Sequence, residues 1–116
     1  MSRSITAAIA SDATLGDGAQ VMAGAVIQPA ARLGRNVLVN TRAVVEHDCI
    51  VGDHAHVAPG AVLCGSVSVG ESAHIGAGAV VLVGVSVGAG AVVAAGAVVA
   101  KNVGAGAFAG GDRIGS

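Results

Sequence analysis

Six polar residues fall within one short stretch: Glu46, His47, Asp48, Asp53, His54 and His56. They include three of the seven acids and three of the four histidines. His47 followed at once by Asp48 is a pairing suited to general-base work near neutral pH. The carboxylate can orient the imidazole and stabilise the cation it becomes. A solvated histidine with no chemical task is the competing reading. His56 and His74 stand eighteen residues apart and suggest a metal, but zinc needs three or four protein or water ligands. Gln20, Leu38 and Val92 occupy the other positions at that spacing, so no metal is expected. Cys64 has no cationic neighbour at the same spacing to activate its thiol, and reads as packing. Lys101 is a candidate phosphate contact, set against a merely solvated lysine.

These residues must be positioned by a repeat, and the repeat dominates the sequence. Stepping by six from Ile9 gives Leu15, Val21, Ile27, Leu33, Val39, Val45, Val51, Val57, Leu63, Val69, Ile75, Val81, Val87, Val93 and Val99, all aliphatic. Four residues after each comes a small residue or Val, from Ala13 through Cys49 to Val103. Three residues after each comes a turn position, where thirteen of sixteen residues are Gly, Asn, Asp or Ser. Such residues tolerate tight bends and positive φ. Each hexad is therefore one short strand and one corner. A period of six fits neither a helix nor a long alternating strand.

A second period of eighteen overlies the first, in Gly16, Gly34, Gly52, Gly70 and Gly88. Three hexads then make one triangular coil, and about five coils stack at the inter-strand spacing of roughly 4.8 Å. The expected fold is all-β, a parallel β-helix over residues 9–104. Residues 1–8 form a lead-in and residues 105–116 a tail. In this register His47 is a corner residue between Pro29 and Gly65, with room beside it, while His56 and His74 face outward from another side.

Composition agrees with thin, repeated layers. Apolar residues make up 53% of the 116, yet Phe108 is the only aromatic, and 19 glycines are interleaved. The glycines of residues 76–90 are explained by the repeat and do not form a nucleotide loop. A net charge of −1 offers no basic field for nucleic acid or an anionic membrane. Residues 79–100 carry no charge and are long enough to cross a bilayer. They keep the six-residue register, however, so no membrane span is expected. There is no signal-peptide pattern. Cys49 and Cys64 are too few for a disulfide framework and read as reduced residues of a cytoplasmic protein.

One outward column consists of Val26, Val44, Val62, Val80 and Val98. Beside it, Met22, Asn40, Ala58, Gly76 and Ala94 are mostly small. An apolar stripe of this length favours self-association over exposure to water.

The run Asn40-Thr41-Arg42-Ala43-Val44-Val45-Glu46-His47-Asp48-Cys49 resembles the core motif of the sialic acid and bacterial amino-sugar O-/N-acetyltransferases. His56-Val57-Ala58-Pro59-Gly60-Ala61-Val62-Leu63-Cys64-Gly65 continues the likeness, as does Gly76-Ala77-Gly78-Ala79-Val80-Val81. It covers about residues 9–103. This resemblance implies a left-handed coil, a homotrimer and active sites in the clefts between subunits. It implies acetyl-CoA as co-substrate and a sugar as acceptor. His47 would be the general base and Asp48 its orienting acid. His56 would lie near the acetyl group, from the neighbouring subunit or the same one. Gly65 would offer a backbone N–H to the thioester carbonyl, Lys101 would meet a CoA phosphate, and Asn40 and Glu46 would contact the sugar. The family's members usually carry an N-terminal α/β domain that holds the sugar and a Gly-x-Pro-Ala ending, and this sequence departs from both. The expected activity is direct acetyl transfer to a sugar hydroxyl or amine. The alternative is a non-catalytic trimeric solenoid or a truncated enzyme domain. An ice-binding solenoid is disfavoured, since Thr6, Thr14 and Thr41 form no ladder.

Overall fold

The computed structural model describes residues 1–110; residues 111–116, the end of the expected tail, lie outside the described residues. Among the described residues there are eighteen strands of two residues each, and no helix. The strands stack into three parallel sheets of seven, six and five. Sheet A runs from Ser2–Arg3 to Phe108–Ala109 and includes Leu38–Val39, His56–Val57 and His74–Ile75. Sheet B runs from Ala8–Ile9 to Val98–Val99, and sheet C from Thr14–Leu15 to Ser86–Val87. The chain passes A to B to C and back to A, a parallel β-helix 43 Å long and 22 Å across.

The hexad dictates this shape. The second residue of each strand points inward, and Val21, Val39, Val45, Val57, Leu63, Ile75, Val81 and Val93 are fully buried. The small residue before each strand also faces inward, as at Ala25, Ala43, Cys49, Ala61 and Ala79. The interior of this thin prism is filled mainly by Val and Ala with a few Leu and Ile, and no aromatic residue is among the buried core residues. The corner residue three after each aliphatic adopts positive φ at all fourteen positions from Gly18 to Gly96, including Ala30, Arg42 and His54 at φ 62°, 59° and 63°. Those three side chains sit in the left-handed region at a cost of about 1–2 kcal/mol each, which the stack around them must offset.

The eighteen-residue glycine column has a steric cause. A Cβ on Gly52 would stand 2.7 Å from the Glu71 amide nitrogen and 3.0 Å from the Gly70 carbonyl carbon in the next coil. At Gly70 it would meet Ala89, where the backbone is equally close. One edge of the prism is therefore packed backbone on backbone.

The ends depart from the periodic reading. There are six turns rather than about five, because Ser2–Arg3 pairs with Gln20–Val21 and Phe108–Ala109 pairs with Val92–Val93. Arg3 occupies an aliphatic position, but at the open end of the coil its guanidinium donates to the Ala7 carbonyl at 3.0 Å. At the other end the last coil is shortened. Val103 was expected in the small-residue column; instead it bridges to Val87, sixteen residues before it. The Ser86 N–H, which in earlier coils would meet a backbone carbonyl, is accepted by Asn102 Oδ1 at 2.8 Å.

Residues 79–100 form corners and the strands Val80–Val81, Ser86–Val87, Val92–Val93 and Val98–Val99. No helix among the described residues is long and apolar enough to cross a membrane.

Candidate active site

His47 and Asp48 form the corner between sheets B and C, just after Val44–Val45 and Glu46. Asp48 has φ 61°, a conformation that aspartate tolerates better than most residues. The sharp turn lets adjacent side chains meet: His47 Nδ1 lies 3.0 Å from Asp48 Oδ2, with both side chains 60% exposed. With Nδ1–H donating to the carboxylate, Nε2 carries the free lone pair.

The corner stacks in register on its neighbours. Asp48 N–H donates to the Pro29 carbonyl, and Ser66 N–H to that of His47. Gly65 therefore sits one coil beyond His47, and the imidazole lies over it. A Cβ on Gly65 would stand 2.6 Å from both Cε1 and Nε2 of His47. The room expected beside His47 is thus taken by its own ring, and the glycine is what permits this. The Gly65 N–H has no acceptor among the described residues, and it belongs to the residue that Nε2 covers.

Glu46 and Cys64 are half-buried first residues of successive B–C corners. Cys49 is inward and buried, and its Sγ donates to the Cys64 carbonyl at 3.1 Å. Burial pushes the Cys49 thiol up from its ordinary pKa. Lys101 is exposed and follows Val98–Val99, three coils beyond Val44–Val45 in sheet B. That is about 14 Å along the axis at the usual strand spacing. It lines a cavity of about 470 Å³ at the C-terminal end with Val98, Asn102 and Phe108. A second cavity, about 280 Å³, lies on the N-terminal side, lined by Ile9, Val26, Gln28 and Pro29.

Asn40 and His56 are elsewhere. His56 is the outward residue of its sheet A strand, paired with Leu38 and His74 as the spacing implies. Asn40 opens the A–B corner, and its Nδ2 lies 3.2 Å from His56 Nε2. This bond escaped the sequence reading because it joins residues sixteen apart, off the eighteen-residue columns. The His56 and His74 rings meet edge to face, with centroids 4.8 Å apart. Burial, and then His74, lower the His56 pKa below its ordinary value. No group of three or more metal-ligating side chains occurs among the described residues. The expected site residues thus fall into three places in one chain: His47, Asp48, Glu46 and Gly65 at the B–C corner, Asn40 and His56 on sheet A, and Lys101 at the C-terminal end.

Residues 30–65 match the bacterial transferase hexapeptide of six repeats, and residues 66–101 the hexapeptide repeat of succinyl-transferase. No curated protein matches the chain. Among solved structures, the chain is similar to a histidine-to-alanine variant of GDP-perosamine N-acetyltransferase from Caulobacter crescentus, in complex with CoA and GDP-perosamine. The identity is 37% and the TM-score 0.91, over 93% of this chain and 52% of the other. The acetyltransferase domain of PglB from Neisseria gonorrhoeae, in complex with acetyl coenzyme A, is 38% identical. Its TM-score is 0.92, over 93% of this chain and 53% of the other. WeeI from Acinetobacter baumannii is 31% identical with a TM-score of 0.88, over 95% and 55%. The chain therefore spans about half the length of each of these proteins. It belongs to the hexapeptide-repeat family, and its fold is that family's left-handed parallel β-helix.

Proposed function

We propose that this chain carries the acetyl-transfer centre of an acetyl-CoA-dependent N-acetyltransferase acting on the amine of a nucleotide-linked amino sugar. The observation that carries this reading is the His47 imidazole, oriented by Asp48 at 3.0 Å and seated over Gly65. The similarity to proteins bound to CoA, acetyl coenzyme A and GDP-perosamine supports the substrate classes, and favours an amine over the hydroxyl of a sialic acid.

In this reading His47 Nε2 accepts a proton from the acceptor amine as its nitrogen attacks the thioester carbonyl. The Gly65 N–H donates to the carbonyl oxygen as negative charge develops there. The C–N bond forms, the C–S bond breaks, and the proton held on His47 passes to the departing thiolate. Asp48 keeps Nδ1 protonated and stabilises the imidazolium between these steps. The steps require no metal and no covalent enzyme intermediate, since both substrates can meet in one cleft. Lys101 binds a CoA phosphate at the C-terminal end. The acceptor approaches from the N-terminal side, past Glu46 and the smaller cavity.

The cleft needs more than one chain. His47 lies at the far edge of sheet B from the A–B corner, whereas Asn40 opens that corner and His56 lies on sheet A. A cyclic trimer packs sheet B of one subunit against sheet A of the next, a heterologous contact that closes on itself. It would cover the Val26, Val44, Val62, Val80 and Val98 ladder, which the strand register makes continuous. It would also bring Asn40 and His56 of one subunit towards His47 of its neighbour.

The test is CoA release from acetyl-CoA across nucleotide-linked amino sugars, run beside acetyl-CoA binding by calorimetry. Turnover with one such sugar is expected. Binding of neither substrate by the trimeric chain would leave a solenoid scaffold in place of the transferase.

A further inference from the structure

The hydrogen bonds around His56 specify its protons. Asn40 Oδ1 accepts the Thr41 backbone N–H at 2.8 Å and the Thr41 hydroxyl at 3.3 Å. A backbone N–H is only a donor, so the group facing it must be the amide oxygen. The amide NH₂ is then turned to His56, 3.2 Å from Nε2. That NH₂ also only donates, so Nε2 must accept. A proton on Nε2 would set two donors against each other.

We propose that Thr41 and Asn40 are positioning residues that hold His56 as its neutral Nδ1–H tautomer, with the edge-on ring of His74 opposing a second proton. Sheet A thereby presents an imidazole N–H donor. The lowered His56 pKa, from burial and from His74, agrees with this geometry. No other group facing the ring supplies a counter-charge. The paired strand Leu38–Val39 has no titratable side chain, and His74 is the only one on His74–Ile75. On the A–B corner beside Asn40, the charged residue is Arg42, which is exposed and cationic and so supplies no counter-charge. In the preceding corner, Asp53 accepts from Arg35 N–H and His54 meets Asn36.

The proposal deepens the transferase reading and, for its functional meaning, rests on it. The two histidines have opposite tasks. His47 leaves a lone pair on Nε2 because its Nδ1–H donates to Asp48, whereas His56 leaves an N–H because Asn40 occupies its lone pair. In a trimer cleft, the His56 Nδ1–H would meet an oxygen acceptor such as the thioester carbonyl.

Long-range ¹H–¹⁵N correlation spectra of the full chain test this without any substrate, with His56→Gln assigning the ring. The expected result is a pyrrole-type Nδ1 and a pyridine-type Nε2 for His56. An Asn40→Asp variant replaces the donor with an acceptor, so it should reverse the tautomer and raise the His56 titration midpoint. His74→Gln should raise that midpoint while leaving the tautomer unchanged. An Nε2–H tautomer in the unsubstituted chain would overturn the proposal, and so would a midpoint unmoved by both substitutions. If the Nδ1–H tautomer is found in a chain that transfers no acetyl group, the proton assignment stands and the transferase reading fails.

Discussion

Gly65→Ala separates chemistry from stability. Its added Cβ would stand 2.6 Å from His47 Cε1 and Nε2 and 3.3 Å from Cδ2, where ordinary contact begins at 3.4 Å. The ring must withdraw by about 0.8 Å or swing away, since at these distances repulsion dominates the contact. Gly65 has no positive φ, so its backbone accepts alanine. The His47 side chain is 60% exposed and can move into solvent. The stability at risk is that of an exposed His–Asp pair, about 0–1 kcal/mol, or at most roughly 4–8 °C in Tm. Catalysis is far more sensitive, because a misplacement near 1 Å costs about 10²-fold. The expected result is a kcat/KM at least ~10²-fold lower in CoA release, with a near-native melting curve. A rate within about threefold of the unsubstituted chain would refute the argument that His47 works from its seat over Gly65.

Gly52→Ala should behave in the opposite way. Its Cβ meets backbone of the next coil at 2.7 Å, which cannot swing aside, so chemical denaturation should show a loss of about 1–3 kcal/mol or more. Stability should also depend on pH through His56. Its folded-state pKa is lowered from the ordinary 6.5, so below that pH the unfolded chain binds more protons than the folded one. Thermal unfolding should show full stability above about pH 6.5, a fall as pH drops towards the lower folded pKa, and a shallower fall in His74→Gln. Val62→Asp places a charge in the middle of the valine ladder, and sedimentation should show the proposed trimer shifting to monomer while the circular dichroism of the coil persists.

The repeat was legible because each layer is nearly a copy of the last. The same inward aliphatic, corner residue and small residue recur whatever lies above or below. The ends were not legible, because there the rule changes from stacking to closing an open coil. Arg3 fills an aliphatic position to reach the Ala7 carbonyl, and Asn102 supplies an acceptor where the coil is two residues short. At the site, His47 and Asp48 could be paired from their adjacency, and the columns placed Gly65 beside them. The Asn40–His56 bond could not be read, since it runs diagonally from a corner to the strand one coil on. The sequence also gathers His47 and His56 into one cluster that the prism divides between two flanks.

The most direct test of the account is the rate of CoA release from acetyl-CoA, with the preferred nucleotide-linked amino sugar, in His47→Ala and the unsubstituted chain. The account predicts a loss of roughly 10²–10⁴-fold in kcat, with the trimer and acetyl-CoA binding intact. An unchanged rate in His47→Ala would contradict it.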